Sequence, residues 1–394
     1  MQIAPRVPWP LDTGAKLRNF HLARVLGRNL SVTLLAFGGD AAGDQLKPIY
    51  RRIVTVPRSE TYSLSNMLRG AIGRTPLPLL NYTTAEMSQA LETLLAEDHF
   101  DLVQIESIHL MNYLPRLRRA GKQMSIVCDW HNVESDLMRQ YAEREPHAAR
   151  RAYAKRTALL MRAAEKRALK EFDAHLVVSD LDAQRLQSID AQARIIVIEN
   201  GVDATHYVDE QAGEKNRLVF VASMDYHANI EGATSFARHV WPLIRQQQPN
   251  LRFAVVGRNP PAEVVALSSI AGIEVTGSVS DVRPYYREAL AAVVPLNVGG
   301  GSRLKILEAM AAGVPVVSTK LGAEGLEVSQ GKNILLAESN PQLAAEIVKV
   351  IDDLELRARL IAGGHALVRS RYDWSILGTT LLDQYQDLTG LKHG

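Results

Sequence analysis

The chain has 394 residues, of which 46% are hydrophobic and 22% charged, as is typical of a globular protein. The 45 Lys and Arg residues nearly balance the 43 Asp and Glu residues, so a dedicated nucleic-acid binder with a basic domain is not expected. A single cysteine, Cys128, excludes a disulfide or a thiolate metal cluster within the chain. No apolar run approaches the roughly 20 residues of a membrane-spanning helix, and the first residues lack the apolar core of a secretory signal. The sequence therefore predicts a soluble, cytoplasmic protein.

Short apolar runs alternate with helical patterns along the chain, which predicts βαβ units and parallel sheets. Helices are expected between the strands, for example at 16–28 and 84–97. In the first half the predicted strands are 32–37, 53–56, 102–105, 126–128, 176–178 and 195–198. After a polar stretch at 200–216, interpreted as an interdomain linker, a second series follows at 218–221, 253–256, 274–276, 292–295, 314–318 and 334–336. Two such domains create a cleft, and ligands of open α/β sheets bind at the carboxyl ends of the strands.

The most informative stretch is a glycine-rich loop followed by a helical pattern from Ser302 to Gly313. Glycines let a backbone approach a ligand closely, and a helix N-terminus favours an anion. The loop contains Gly299, Gly300 and Gly301. The alternative interpretation is a glycine-rich loop with solvated basic side chains.

Arg303 and Lys305 place two cations in the first turn of this helix. Since a helix N-terminus is already positive, this arrangement is unfavourable for an isolated helix, and a bound diphosphate would relieve it. Glu308 follows one to two turns later, within reach of sugar hydroxyls.

Together with other motifs, these residues resemble the family 4 glycosyltransferases of the GT-B fold, in particular the bacterial branch that acts in exopolysaccharide and cell-envelope sugar transfer. The motifs occur in the family's order. They are the N-terminal glycine loop at 10–18, Asp-Trp-His-Asn-Val-Glu at 129–134, Asn-Gly-Val-Asp at 200–203, the loop at 275–282, the helix and strand at 307–317, and Tyr-Asp-Trp at 372–374.

The resemblance implies an α/β protein of the GT-B type, with two Rossmann-like doubly wound domains facing across a cleft. Residues 1–200 would form the acceptor-side domain and residues 201–371 the nucleotide-sugar donor domain. A C-terminal helix at about 372–394 would cross back onto the first domain.

The resemblance also assigns roles to individual residues. Glu308 would bind the ribose hydroxyls, and His131 would lie beside the transferred sugar for positioning and charge stabilisation. The alternative for His131 is a structural hydrogen bond. The catalytic set implied is His131, Arg303, Lys305 and Glu308. The donor-binding set is Gly14, Gly277, Val279, Gly300, Gly301, Ser302, Gly322, Ala323 and Glu324.

The sequence departs from the family pattern at three positions. Gly300 stands where the family has a glutamate that contacts the donor sugar, while Ser223 and Asn229 stand where an arginine and a lysine hold the diphosphate. Because the leaving diphosphate needs positive charge, this role is expected to pass to Arg303 and Lys305.

The function implied is retaining transfer of a sugar from a nucleoside diphosphate sugar to a saccharide or lipid-linked acceptor, in polysaccharide or glycoconjugate biosynthesis. No resident cofactor and no obligatory metal are expected, because the helix N-terminus and the two cations supply the charge. Two alternatives stay open. One is an inactive homologue that binds a partner glycosyltransferase, and the other is a nucleotide-sugar epimerase.

The segment from Arg144 to Lys170 carries nine cations, opposed by Glu145 and Glu165. A helix of this composition could lie against anionic lipid at the inner face of the cell membrane. The alternative is a solvated crossover helix with long basic side chains.

Overall fold

The computed structural model describes residues 1–39, 43–58, 63–121, 123–207, 216–298 and 303–390. The chain divides into two compact units. The first contains Met1–Glu199 and Leu377–Gly394, and the second contains Asn200–Ile376. Each unit has a parallel sheet with helices, as the sequence predicts. Among the described residues, no helix is long and apolar enough to cross a membrane.

In its described part, the first unit has a seven-stranded parallel sheet in the order β3-β2-β1-β4-β5-β6-β7. The short strand β1 lies in the interior, where Ile3 is fully buried and pairs with both Leu35 and Ile105. The strands are mostly continuous apolar runs, as expected for a sheet covered on both faces. They are β1 (Gln2–Ala4), β2 (Thr33–Phe37), β3 (Arg52–Val56), β4 (Leu102–Glu106), β5 (Ser125–Trp130), β6 (Ala174–Val177) and β7 (Ile195–Val197).

Helices connect these strands, with a 3₁₀ turn at Ile108–Tyr113. Side-chain caps mark the residues at which several helices begin. For example, Thr13 and Thr84 each accept a hydrogen bond from a backbone N–H three residues later. The helices are α1 (Gly14–Leu26), α2 (Gly43–Leu46), α3 (Leu64–Ile72), α4 (Leu77–Asn81), α5 (Ala85–Glu97), α6 (Leu114–Ala120), α7 (Glu134–Arg144), α8 (Ala148–Glu171) and α9 (Asp180–Gln187).

The described part of the second unit has a six-stranded parallel sheet in the order β10-β9-β8-β11-β12-β13. The strand order reverses at β8, and such a reversal opens a crevice outside the carboxyl ends of the strands. The strands are β8 (Arg217–Val221), β9 (Arg252–Val256), β10 (Ile273–Gly277), β11 (Ala289–Val294), β12 (Val316–Thr319) and β13 (Leu335–Ala337). Every strand predicted from the sequence overlaps a strand of the structure.

The helices after β8 include two π-helical turns, at Phe236–Val240 and Val368–Tyr372, and two 3₁₀ turns, at Ala266–Ser269 and Leu321–Ala323. The helices are α10 (His227–Ser235), α11 (Trp241–Gln247), α12 (Ala262–Val265), α13 (Arg283–Arg287), α14 (Leu304–Ala311), α15 (Asn340–Asp352), α16 (Leu354–Leu367) and α17 (Trp374–Thr389).

The last helix, α17, begins in the second unit and ends in the first. At its start, Asp373 accepts a hydrogen bond of 3.0 Å from the backbone N–H of Ala204, within the second unit. Further along, Tyr385 donates a hydrogen bond to Gln104 on β4, within the first unit. The contact at its start therefore lies in the second unit, and the contact further along lies in the first.

Candidate active site

A buried polar cluster lies at the carboxyl ends of β4 and β5 in the first unit. Glu106 ends β4, and His131 directly follows β5, so the parallel pairing of the two strands brings them together. The His131 Nε2 atom lies 3.3 Å from Glu106 Oε2. The amides of Gln2 and Gln104 donate hydrogen bonds of 2.6 and 2.5 Å to the other oxygen, Glu106 Oε1. The Glu106 carboxylate is thereby fixed against the imidazole.

Arg18 on α1 forms a fully buried ion pair with Asp129 on β5. Its Nε and Nη2 atoms donate to the two carboxylate oxygens at 2.8 and 3.2 Å, and Nη1 donates to the carbonyl of Ile198 at 2.7 Å. Since Gly14 is the first residue of α1, this pair fixes the helix that follows the N-terminal glycine loop to the strand that carries His131.

The cluster favours the protonated form of His131. Burial of the imidazole lowers its pKa, but the hydrogen bond with Glu106 and the charges of Asp129 and Glu106 together outweigh that effect, so the pKa lies above its usual value. Burial lowers the pKa of the neighbouring His109 to about 4, and the charge of His131 acts in the same direction. The pKa values of the two imidazoles are thus shifted in opposite directions, and the His131 side chain remains 16% exposed.

The same cluster presents a possible set of metal ligands. Within the described residues, ligand atoms of Glu106, Asp129 and His131 all lie within 4.8 Å of one another. However, Arg18 donates to both carboxylate oxygens of Asp129, so a metal ion would have to compete with this guanidinium.

In the second unit, Glu308 lies on α14 and is partly buried. Tyr207 and Tyr286 hydrogen-bond to its carboxylate, and their rings meet edge to face at 6.1 Å. Burial raises the pKa of Glu308, and the hydrogen bond from Tyr207 and the charge of Lys305 oppose that rise. The two tyrosines could not be predicted from the sequence, because isolated aromatic residues give no periodic signal. Tyr207 does, however, follow the Asn-Gly-Val-Asp motif by four residues.

Lys305 reaches one of the positions at which the sequence departs from the family pattern. Its Nζ atom donates a hydrogen bond of 3.0 Å to Asn229 Oδ1, and Asn229 in turn donates to the carbonyl of Ser223 at 2.7 Å. Arg258, which follows β9, donates from Nε to Ser223 Oγ at 3.1 Å, and the same atom forms an ion pair of 3.0 Å with Asp225. A cation from another element therefore lies beside each of the two substituted positions. Arg258 was not predicted, since no motif marks it.

Burial lowers the pKa of Lys305 to about 8, and the nearby charge of Arg303 adds to this effect. Poor hydration and a like charge both disfavour the ammonium form. An anion bound beside Lys305 would reverse this effect.

Arg303 is 5% exposed and holds the turn that follows β12. Its guanidinium donates to the carbonyls of Leu321 and Glu324 at 2.8 and 3.3 Å, and lies 3.7 Å from a carboxylate oxygen of Glu324. Gly322 and Ala323 are buried in this turn. A Cβ atom on Gly322 would lie 2.7 Å from the carbonyl oxygen of Val294, so the turn requires a glycine there.

The remaining predicted residues fall into two groups. Gly277 ends β10 with a φ of +71°, a conformation that suits glycine, and Val279 packs partly against the core of the second unit. Gly300, Gly301 and Ser302 lie outside the described residues. The helix predicted from Ser302 to Gly313 is found as Leu304–Ala311, ended by Gly313 at a φ of +68°.

Two family models match the chain, one for each half. "Glycosyltransferase Family 4" matches residues 13–206, and "Glycosyl transferases group 1" matches residues 215–353. Among curated proteins, the chain is 27% identical over 220 residues to a phosphatidyl-myo-inositol mannosyltransferase of Mycobacterium leprae, covering 54% of this chain and 58% of that protein. It is 28% identical over 227 residues to a D-inositol 3-phosphate glycosyltransferase of Corynebacterium efficiens, covering 53% of each. The matches thus span little more than half the length of these relatives.

Solved structures resemble the chain over its whole length. Sucrose-phosphate synthase from Thermosynechococcus elongatus has a TM-score of 0.72 at 17% identity, with 99% of both chains covered. HepE from Anabaena, in complex with UDP, has a TM-score of 0.67 at 15% identity, covering 98% of this chain and 99% of the other. WaaG, a glycosyltransferase involved in lipopolysaccharide biosynthesis, has a TM-score of 0.65 at 16% identity, covering 99% of this chain and all of the other. At these identities the likeness establishes the fold.

Proposed function

The chain belongs to the group 1, family 4 glycosyltransferases and has their GT-B fold, and we propose that it transfers a sugar from a nucleoside diphosphate sugar with retention of configuration. One observation carries the proposal. Lys305, Asn229 and Ser223 are joined by hydrogen bonds beside β8, the strand at which the order of the second sheet reverses. A partly dehydrated ammonium group at this crevice suits the diphosphate of a nucleotide sugar.

We further propose distinct roles for the residues of the donor site. Lys305 neutralises the diphosphate, and Glu308 accepts hydrogen bonds from the ribose. Arg303 holds the turn of Gly322 and Glu324 and does not contact the donor directly, because its guanidinium already donates to two carbonyls of that turn. A solved structure of HepE contains UDP-glucose, which makes UDP the first nucleotide to test.

In the proposed mechanism the bond between the sugar and the diphosphate breaks, and the acceptor hydroxyl attacks the same face. The leaving phosphate takes the acceptor's proton, so no protein nucleophile is needed. Protonated His131, held by Glu106, positions the sugar and stabilises the charge that develops. Since protein cations supply the charge, we expect equal rates with and without EDTA. A loss of activity that Mg²⁺ restores would contradict this.

The proposed acceptor is a saccharide or a lipid-linked saccharide, in polysaccharide or glycoconjugate biosynthesis. The mycobacterial relative is named for a lipid, phosphatidyl-myo-inositol, which supports the lipid-linked form. Helix α8, which carries most of the basic segment ending at Lys170, supports a peripheral position at the inner face of the cell membrane.

The alternative is an inactive homologue that binds a partner glycosyltransferase. Gly300, Ser223 and Asn229 motivate this alternative, but the ammonium group of Lys305 beside Asn229 favours a working donor site. An epimerase would turn over without an acceptor, whereas a transferase requires one.

The test is thermal stabilisation of the protein by UDP, GDP, ADP, dTDP and their sugars. We expect a rise in Tm with one nucleotide, lost in Lys305→Ala and in Arg303→Ala/Lys305→Ala. Lys332→Ala, which removes an exposed lysine of the second unit, is the matched control and should respond like wild type. If no nucleotide shifts the wild-type Tm, the inactive alternative replaces the proposal. Sugar transfer that requires an acceptor then separates a transferase from an epimerase.

A further inference from the structure

Helix α3 exposes apolar side chains to solvent. Met67 is 47% exposed, Leu68 62% and Ile72 77%. Leu68 and Ile72 are four residues apart and so lie on one face of the helix. A short helix in a globular protein ordinarily buries such a face, and a contiguous exposed apolar patch indicates a surface that meets another apolar phase.

Helix α8 lies directly against the end of α3. The Arg156 guanidinium, in the middle of α8, donates hydrogen bonds of 2.7 and 2.5 Å to the carbonyls of Gly70 and Gly73. Leu159 follows Arg156 by less than one turn and is 74% exposed. Two elements that are distant in sequence therefore contribute apolar side chains to neighbouring parts of the surface.

Both helices that carry these apolar side chains are rich in cations. The stretch 63–81, which contains α3, has no Asp or Glu, and it exposes Arg69 and Arg74. On α8 the acidic residues are Glu165, which is buried and accepts hydrogen bonds from Ser135, and Glu171 at the last position. The cations of α8 are Arg150, Arg151, Lys155, Arg156, Arg162, Lys166, Arg167 and Lys170.

We propose that α3 and α8 form one docking surface for an anionic lipid bilayer. The aliphatic side chains of α3, with Leu159, enter the headgroup region, and the cations around them face the lipid phosphates. The exposed apolar side chains of α3 are aliphatic, whereas a surface for single-stranded nucleic acid uses aromatic side chains that stack on bases. This docking surface rests on the proposed function, because its purpose is to bring the enzyme to a lipid-linked acceptor. The part that goes beyond the proposed function is α3.

The test is co-sedimentation of the full chain with phosphatidylcholine vesicles, with and without about 30% phosphatidylglycerol. We expect binding to the anionic vesicles, weakened by salt. Leu68→Gln/Ile72→Gln and, separately, Lys155→Gln/Lys166→Gln should each reduce the affinity by about tenfold or more. The matched controls lie in the second unit. They are Leu354→Gln, where the leucine is 72% exposed, and Lys332→Gln/Lys349→Gln, and they should bind like wild type.

Three results would overturn the inference. They are no binding of the wild type to anionic vesicles, unchanged binding of the α3 variant, and a concentration-dependent dimer in solution that Leu68→Gln/Ile72→Gln abolishes. The last result would assign the patch to a second copy of the chain. Tm and nucleotide stabilisation are measured on every variant. If nucleotides bind and vesicles do not, the docking surface fails alone; if vesicles bind and nucleotides do not, the proposed donor site fails alone.

Discussion

The surroundings of Lys305 in the proposed donor site affect its protonation. Its pKa is lowered to about 8, mainly by burial, so the ammonium form is lost in the free protein as the pH rises through that value. A bound diphosphate stabilises the ammonium and raises its pKa, so nucleotide binding at alkaline pH must take up a proton.

We therefore predict that the affinity for the stabilising nucleotide falls as the pH rises from 7 to 9, approaching about tenfold per unit at the alkaline end. Titration calorimetry in buffers of different ionisation enthalpy should detect the proton taken up. In Lys305→Met the affinity should be lower and its dependence on pH lost, while Lys332→Met should keep the wild-type profile. A flat wild-type profile would contradict the proposed contact.

A second prediction concerns the pair of His131 and Glu106. Glu106→Gln removes the negative charge that holds the imidazole proton, so the pKa of His131 should fall, as measured by NMR titration of the imidazole. Because the folded pKa of His131 lies above its unfolded value, its contribution to stability is present at low pH and is lost as the pH rises through the folded value. The variant should weaken that dependence.

The control for this prediction is Glu143→Gln, which removes an exposed carboxylate paired with Arg139 on α7. It should leave the titration of His131 unchanged. An equal fall in both variants would mean that Glu106 acts only through the general field of the protein.

Motif spacing identified His131, Lys305 and Glu308 as candidates, because His131 follows a strand and the other two lie on the helix that follows the glycine-rich loop. The partners of these residues could not be predicted. His131 and Glu106 are separated by 25 residues, and Lys305 and Asn229 by 76, so that only the folded sheets bring them together. Their proposed roles in the reaction stay predictions.

At the scale of elements, the turn after β12 depends on Gly322. In the structure a Cβ atom there would lie 2.4 Å from Ser318 Oγ and 2.7 Å from the carbonyl oxygen of Val294, and that carbonyl belongs to a buried strand that cannot yield. The turn would have to move, and Arg303 with it.

Gly322→Ala should cost about 1–3 kcal/mol in the free energy of unfolding and abolish nucleotide stabilisation. Denaturant unfolding and the thermal-shift assay measure the two effects. Gly121→Ala is the control, since a Cβ atom at Gly121 would meet Met124 at an ordinary 4.0 Å. Normal nucleotide stabilisation in Gly322→Ala would show that the turn is not part of the donor site.

Strands were predicted well because buried parallel strands are short apolar runs bounded by polar residues. Helices with a buried face, such as α1 and α5, were also predicted within two residues. Helix α3 was not singled out from the sequence, although its apolar residues follow helical spacing, and spacing alone does not show that Leu68 and Ile72 face solvent.

At the scale of the whole molecule, the first unit is assembled from two separate segments of the chain. Leu381 of α17 is fully buried within that unit. We predict that Leu381→Ala destabilises the first unit by about 2–5 kcal/mol and speeds amide hydrogen exchange there, while residues 200–376 are protected as in wild type.

Leu360→Ala is the matched control, since Leu360 is 1% exposed in the second unit. Leu360→Ala should speed amide hydrogen exchange in residues 200–376 and leave the first unit protected as in wild type. If both variants speed amide exchange equally in both units, the chain unfolds as one cooperative body. The two units are then not independent in stability.

The path of α17 also separates the order of synthesis from the order of assembly. The ribosome produces every strand of the first sheet and then the entire second unit before the residues from Leu377 onward emerge. Until then the apolar surface that Leu377, Leu381 and Leu382 cover stays open to water or to a chaperone. The half of the protein that is made first is therefore completed last, and a nascent chain that stalls late in translation carries an unfinished first unit beside a finished second one.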